Sequence, residues 1–385
     1  MPDQLPSRPT ATSVLGRRSL LQLGGLGALA LGAAPLLAAC SSSSSSTSAG
    51  SSSSSGAKSF GSANVQLSWI KNIEFSGEYF ADALGYYKGA GFSGVTLTAG
   101  GSAGTSAEAA VATGKALVGL SSVTVTAPAI LKGAKLKTIG ATYQKNPFCI
   151  VSVAKNPIPD VQSMKGKKIG VQAGGNTTIF KGLLKANGMA ESDLTIVPVQ
   201  YDPTVVTTGE VDGFMAYITN EPILLTGKGF KPTTFLFADY DLPFVAETFV
   251  VSQSDIDNNR DKLKAFLLAE IKGWTDAVAN PTQSATYAVT KYGKDQNLVQ
   301  AEQNEEAVAQ NGLIVSAEST KNGIFTVSDA LMSANIKALA LTGVAISAEQ
   351  LFDMSLLKEV YTENPDLVAA FTKAATSAGP AASSS

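Results

Sequence analysis

The chain has 385 residues, a formal net charge of −2 and no histidine. That composition excludes His-based catalytic triads, imidazole acid–base chemistry and His-ligated zinc. The lack of a basic surplus argues against a nucleic-acid binder. Of the arginines Arg8, Arg17, Arg18 and Arg260, only Arg260 lies beyond residue 39, so a guanidinium clamp on an anion has a single possible source in the body of the chain.

Arg17-Arg18-Ser19-Leu20-Leu21, a glycine-rich apolar run and Leu37-Ala38-Ala39-Cys40 read in order as an export signal over residues 1–39. It has a basic start, an apolar core too short for a comfortable membrane span, and small residues before a cysteine. The Leu-Ala-Ala-Cys ending resembles a lipobox, in which the Cys40 thiol is lipidated and becomes the mature N-terminus. The arginine pair resembles, in part, a twin-arginine signal. Removing Arg8, Arg17, Arg18 and Asp3 takes away a net +2 and leaves a mature charge of −4. An uncleaved anchor helix is the alternative, and it places the same domain on the same side of the membrane. Residues 40–62 are serine-rich and read as a flexible spacer, as does the tail 376–385. With Cys40 lipidated, Cys149 has no disulfide partner and reads as a small buried apolar residue inside Phe148-Cys149-Ile150-Val151.

From Asn64 onward, short β-rich runs alternate with helical segments. Expected strands are Val65–Trp69, Val95–Thr98, Leu117–Leu120 and Leu136–Ala141, with helices over Glu78–Tyr87, Ala107–Ala112 and Ala127–Lys132 between them. A second unit follows Lys155-Asn156-Pro157, with strands at Lys168–Val171, Leu194–Val197, Gly213–Ala216 and Thr233–Phe237. The turn Gly174-Gly175-Asn176-Thr177-Thr178 opens a helix over Ile179–Ala186. Long helices follow, over roughly Asp261–Ala279 and Thr282–Lys291, then amphipathic segments to Tyr361. The rhythm predicts mostly parallel sheets covered by helices, with ligands beyond the carboxyl ends of the strands.

Several of these runs resemble a known family. Trp69-Ile70-Lys71-Asn72, Phe75-Ser76-Gly77-Glu78-Tyr79, Gly85-Tyr86-Tyr87-Lys88 and Gly91-Phe92 are similar to the opening of extracytoplasmic solute-binding proteins of ABC importers. Met164-Lys165-Gly166-Lys167-Lys168-Ile169-Gly170-Val171 and Gly209-Glu210-Val211-Asp212-Gly213 are further family idioms. The resemblance spans Asn64–Tyr361 and is nearest to binders of thiamine pyrimidine precursors, aliphatic sulfonates and nitrate. It implies an α/β fold of the two-lobed, periplasmic-binding-protein-like type II class, with a ligand in the interlobe cleft. Lobe 1 would comprise 63–146 and 252–375, including C-terminal helices packed mostly on that lobe, and lobe 2 would comprise 147–251. Crossings are expected near Pro147–Val153 and Phe244–Val251, both β-prone as hinge strands must be.

The turns after the strands supply the candidate ligand contacts. Trp69, Asn72, Glu74 and Tyr79 follow the first strand, where the pyrimidine-binding branch places an aromatic and a polar contact. Gly101 and Ser102 lie in Gly100-Gly101-Ser102-Ala103-Gly104-Thr105, which can turn backbone N–H groups and hydroxyls toward a ligand. Asn176 and Thr177 do the same from the second unit, and Ser121 and Ser122 end a strand. Tyr217, Asn220 and Glu221 form the most chemical turn, in which Pro222 opens a helix and Asn220 could cap it. A cleft carboxylate with little arginine nearby suits an amino group better than a sulfonate or nitrate. No metal site and no cofactor are expected.

The implied function is a lipid-anchored receptor outside the cell membrane. It would be monomeric, would bind a thiamine-precursor-like heteroaromatic and would deliver it to an ABC permease with its ATPase. A sulfonate, taurine or nitrate receptor is the alternative ligand class. A surface sensor without transport is the alternative role, separable by whether a permease or a sensor kinase gene lies nearby. Synthases of the thiamine pyrimidine share the fold but consume a protein histidine and carry a cysteine-rich motif, and this chain has neither.

Overall fold

The computed structural model describes residues 58–101 and 104–377. The export signal, Cys40, the serine tract to residue 57, Ser102 and the tail from residue 378 lie outside the described residues. Two five-stranded sheets form the framework. The first contains β1 (Gly61–Gln66), β2 (Phe92–Thr98), β3 (Val118–Ser122) and β4 (Leu136–Tyr143). The second contains β5 (Phe148–Val153), β6 (Lys168–Gln172), β7 (Thr195–Val199), β8 (Gly213–Tyr217) and β9 (Pro232–Leu236). The chain then returns to the first sheet as β10 (Ala246–Ser252). Strand orders are β2-β1-β3-β10-β4 and β7-β6-β8-β5-β9.

Each sheet is parallel except for one strand, and that strand is the one entered directly from the other sheet. β5 runs antiparallel to β8 and β9, and β10 runs antiparallel to β3 and β4. The helices between parallel strands start at the strands' carboxyl ends, which is also where the lobes face one another. A strand arriving from the opposite lobe begins at that face and must run away from it. Its first residues therefore lie in the cleft.

The expected hinge segments are, for the most part, strands within the sheets. The connections are residues 144–147 and 237–245, just ahead of β5 and β10. The two connections are tied together: buried Asn146 donates from Nδ2 to the Leu242 carbonyl (2.9 Å) and accepts the Phe148 N–H (3.0 Å). The linker and tail boundaries also move, because β1 begins at Gly61 and the last helix runs from Asp366 to Ser377.

The C-terminal helices pack mostly on the first lobe and also reach the second. The helix Arg260–Ala279 packs on Ser76–Ala83 of the first lobe, whereas Asp329–Leu341 packs on Gly175–Ala186 of the second. One apolar cluster accordingly runs across the lobes, joining Val123, Ala127 and Ala141 to Phe180, Leu183, Val245 and Leu339. The reason lies in the sequence of the later helices. Ala338 and Leu339 are buried in this shared cluster, and Asn335 Oδ1 accepts the Val245 N–H at 2.9 Å, next to the return crossing.

Ser76–Ala83 and Arg260–Ala279 cross at glycines. A methyl at Gly273 would overlap the Gly77 carbonyl oxygen, and one at Gly77 would overlap the Trp274 indole. Backbone rather than a flexible side chain blocks the first position, so the helices must separate to admit a side chain. Gly273→Ala is expected to destabilise the fold by roughly 1–3 kcal/mol in chemical denaturation. An unchanged midpoint would show that the crossing is looser than this geometry.

The same crossing buries two carboxylates, Glu78 and Glu270, both inaccessible to solvent. Tyr87 donates to Glu270, while the Trp274 indole N–H approaches Glu78 without closing a hydrogen bond. Burial pushes the Glu78 carboxyl from 4.5 up to about 8, and burial with the neighbouring Glu78 charge raises Glu270. The folded state then holds a proton that the unfolded state gives up near pH 4.5. This contribution to stability is full below that pH and is lost as pH rises through about 8. Glu78→Gln keeps the neutral form, so it should raise Tm at pH 9 by about 2–4 °C for each kcal/mol recovered. At pH 5 the gain should vanish, and an equal effect at both values would refute the assignment.

Candidate functional site

The carboxyl ends of β1, β6 and β8 and the first residues of β5 and β10 enclose a cavity of about 170 Å³. Ser68, Trp69 and Glu74 come from the loop after β1. Gln172 and Asn176 follow β6, Tyr201 follows β7, and Met215 to Tyr217 with Asn220 and Glu221 end and follow β8. Phe148 and Glu247 open β5 and β10. Among the described residues no helix is long and apolar enough to cross a membrane.

Six of the expected contacts meet at this cavity: Trp69, Glu74, Asn176, Tyr217, Asn220 and Glu221. Six others do not line it. Asn72 is turned inward and caps the short turn Ile73–Phe75, accepting the Glu74 N–H at 3.1 Å. Tyr79 lies on the buried face of its helix, donates to the Asn72 carbonyl (2.8 Å) and stacks on Tyr292 at 4.2 Å between ring centroids. Gly101 backs Trp69 and Ile70, with its N–H on the Ser68 carbonyl. Ser121 donates to Glu108, and Ser122 shares a hydrogen bond with Thr124. Thr177 donates to the Gln172 carbonyl (3.1 Å). Ser102 lies outside the described residues.

Hydrogen bonds fix the polar side chains. Asn176 Nδ2 donates to Gln172 Oε1 (3.0 Å), whose Nε2 donates to the Met215 carbonyl (2.9 Å), so the β6 and β8 ends move as one. Asn220 makes no side-chain cap to the helix Glu221–Gly227. Instead Glu221 Oε2 turns back to accept the Tyr217 N–H at 2.8 Å. The turn bearing Glu74 is held from behind by the helix Gln300–Ile314. Gln303 Oε1 accepts the Ile73 N–H (2.9 Å), and Gln310 Nε2 donates to Ser76 Oγ (2.9 Å). Aromatic faces complete the cavity: Trp69 and Tyr201 meet at 5.3 Å between ring centroids, Phe148 and Tyr217 at 4.7 Å.

Glu247 escaped the sequence reading and has the most unusual backbone of the site. It is the extra residue of a bulge between Ala246 and Thr248 against β3, with φ at +45°. Such a conformation in a residue other than glycine is strained and is held only where the surroundings demand it. Its carboxylate accepts from Ser68 Oγ at 2.9 Å. The available signal was a lone charge interrupting the apolar run Phe244–Val251. Phe148 opens a strand rather than following one, so strand–helix alternation carries no signal for it.

The cavity therefore holds three glutamates, and none of its lining residues is Lys or Arg. Burial raises all three carboxyls. Glu221 goes to about 7 and Glu247 to about 8, and the Glu247 and Glu221 charges add to the burial effect at Glu74. Arg260 is far from this chemistry, paired through Nη2 with Glu359 at 2.6 Å. Cys149 is fully buried, and burial pushes its thiol up, leaving it inert.

Comparison with known proteins gives the fold and the family. The riboflavin-binding protein RibY of Chloroflexus aurantiacus is 28% identical over 229 residues, covering 57% of this chain and 63% of RibY. The match thus spans less than two thirds of that relative's length. The periplasmic aliphatic sulphonate binding protein SsuA from Escherichia coli superposes with a TM-score of 0.59 at 13% identity, over 76% of this chain and 92% of SsuA. The desulfurization enzyme DSZB superposes with a TM-score of 0.54 at 12% identity, over 78% and 99% of the respective chains. At such identities the likeness is one of fold, the two-lobed type II binding-protein architecture, which receptors and an enzyme both use. Residues 72–284 match the family described as NMT1/THI5 like, more than half of the chain, and the protein belongs to that family.

Proposed function

We propose that the protein is the substrate-binding receptor of an ABC importer, held outside the cell membrane by lipidated Cys40. It would capture a small heteroaromatic of the thiamine-precursor pyrimidine kind and hand it to a permease with its ATPase. The observation that carries this reading is the cavity itself: aromatic faces and carboxylates on strand ends of both sheets, with no basic side chain among the lining residues. Stacking on Trp69 or Tyr217 suits a flat ring, and Glu221 and Glu74 suit its amino groups. The same three carboxylates oppose a sulfonate, taurine or nitrate, which would need cationic donors or free N–H groups in their place.

Size narrows the ligand further. An apolar cavity of about 150 Å³ accommodates benzene, so a volume of about 170 Å³ suits one substituted ring in this conformation. RibY is named for riboflavin, and this relative favours a flavin as the second reading. A three-ring flavin would require the lobes to stand further apart.

Calorimetry against pyrimidines, flavins, sulfonates and nitrate distinguishes these readings. A pyrimidine should bind, and Trp69→Ala should weaken it about fivefold or more, because a stacked ring contributes around 1 kcal/mol beyond area burial. Binding of a sulfonate alone would sink the pyrimidine reading and leave the fold intact.

Capture should also close the cleft about residues 144–147 and 237–245, the two connections between the sheets. Small-angle scattering is expected to show a smaller radius of gyration at ligand saturation. An unchanged radius would remove closure from the mechanism.

A further inference from the structure

Glu74, Glu221 and Glu247 reach the cavity from three separate elements, and their oxygens are unequally occupied. Glu221 is committed in part to the Tyr217 N–H. Glu247 is 4% exposed and gives Oε2 to Ser68, while its Oε1 receives no donor among the described residues. Glu74 is 6% exposed. Asn72 lies beside its carboxyl and favours the ionised form, yet no donor among the described residues reaches that carboxyl with hydrogen-bond geometry. Buried carboxylate oxygens facing a cavity without protein donors are satisfied by a proton, by water or by a ligand that displaces it. The strained bulge at Glu247 serves no pairing of β10 with β3, because the register resumes only at Thr248.

We propose that the cavity takes its ligand as an organic cation, with a protonated amine held between Glu74 and the free oxygen of Glu247. Glu247 then sets the preference for charge. The inference rests on the reading of this cavity as a heteroaromatic-binding site and names the charge state of its ligand. A primary ammonium has three N–H donors and no acceptor, which complements carboxylates lacking donors. An alcohol of the same shape offers one donor and no charge.

The groups around the pair reinforce this polarity. Glu221 faces Glu74 from the helix after β8, Glu306 from the helix Gln300–Ile314, and Glu78 faces Glu247 from the helix Ser76–Ala83. The charges of Glu74 and Glu247 are felt by the phenols of Tyr143 and Tyr217, which they help to keep neutral. Burial first, and the neighbouring glutamates second, favour the protonated carboxyls, and an arriving ammonium displaces one of these protons. Binding of a cation should therefore release a proton and strengthen as pH rises toward the ionisation of Glu247 near 8.

The test is calorimetry on the full chain with two probes of one shape, 4-amino-5-hydroxymethyl-2-methylpyrimidine and its 5-aminomethyl counterpart. The ammonium probe is expected to bind about tenfold or more tightly than the alcohol near pH 8. Its advantage should shrink toward pH 6, and its heat should vary with the ionisation enthalpy of the buffer. Glu247→Gln should narrow the ratio between the probes to about threefold or less. Glu74→Gln is the second variant should the bulge fail to form, with thermal melts confirming both folds. Equal binding of the two probes, or a ratio unmoved by both substitutions, overturns the cation assignment and leaves the heteroaromatic receptor standing. Binding of neither probe overturns both.

Discussion

A strand that enters a lobe from its partner begins at the cleft, and this directional constraint organises the molecule. It makes β5 and β10 antiparallel to their neighbours and sends their first residues into the interlobe cavity. Parallel strands contribute their last residues and the turns beyond them. The two sheets thus aim both kinds of strand end at one volume. The Asn146 bridge to Leu242 keeps the two connections in step, so a shift in one is felt by the other.

Electrostatics then decides what that volume can hold. Glutamates buried without a cation are costly if ionised, and the protein meets the cost by keeping protons on them rather than by pairing them. Glu306 extends this pattern behind the cavity wall, where burial and the Glu74 charge raise it to about 9 and Gln303 Nε2 donates to it at 2.9 Å. The glutamines of Gln300–Ile314 hold the Glu74 turn through backbone and hydroxyl groups and add no positive charge. A lysine in the same helix face would offset the negative charge of the cluster.

The sequence disclosed six of the lining residues and concealed two others, Glu247 and Phe148, for a geometric reason. Trp69, Glu74, Asn176, Tyr217, Asn220 and Glu221 follow parallel strands, where a reader of strand–helix rhythm looks first. Glu247 and Phe148 open antiparallel strands, and nothing local distinguishes a strand that starts in the cleft from one that ends there. Tyr79 and Ser121 misled because residue type was legible while facing was not. Tyr79 falls on the buried side of its helix, and the Ser121 hydroxyl is taken by Glu108, thirteen residues away. The sheets and most elements were readable from alternation and turn residues. The lobe-bridging helices were not, because amphipathic periodicity gives a helix a buried face without saying which partner covers it.

Those bridging helices limit how the cleft can work. Asp329–Leu341 packs on the second lobe while Arg260–Ala279 packs on the first, and Gln300–Ile314 touches Ile73–Phe75, β4 and the helix Glu221–Gly227. It therefore lies against the elements that carry both Glu74 and Glu221. A lobe rotation that widened the cavity would slide this helix against one of its two supports. Packed interfaces of this kind resist continuous deformation and favour a few discrete arrangements. The spacing of the two carboxylates is thus set jointly by lobe position and by a helix that contributes no side chain to the cavity lining. Glu74 and Glu247 both stand on the first sheet, so a cation held between them leaves lobe position to Glu221, which reaches the cavity from the second.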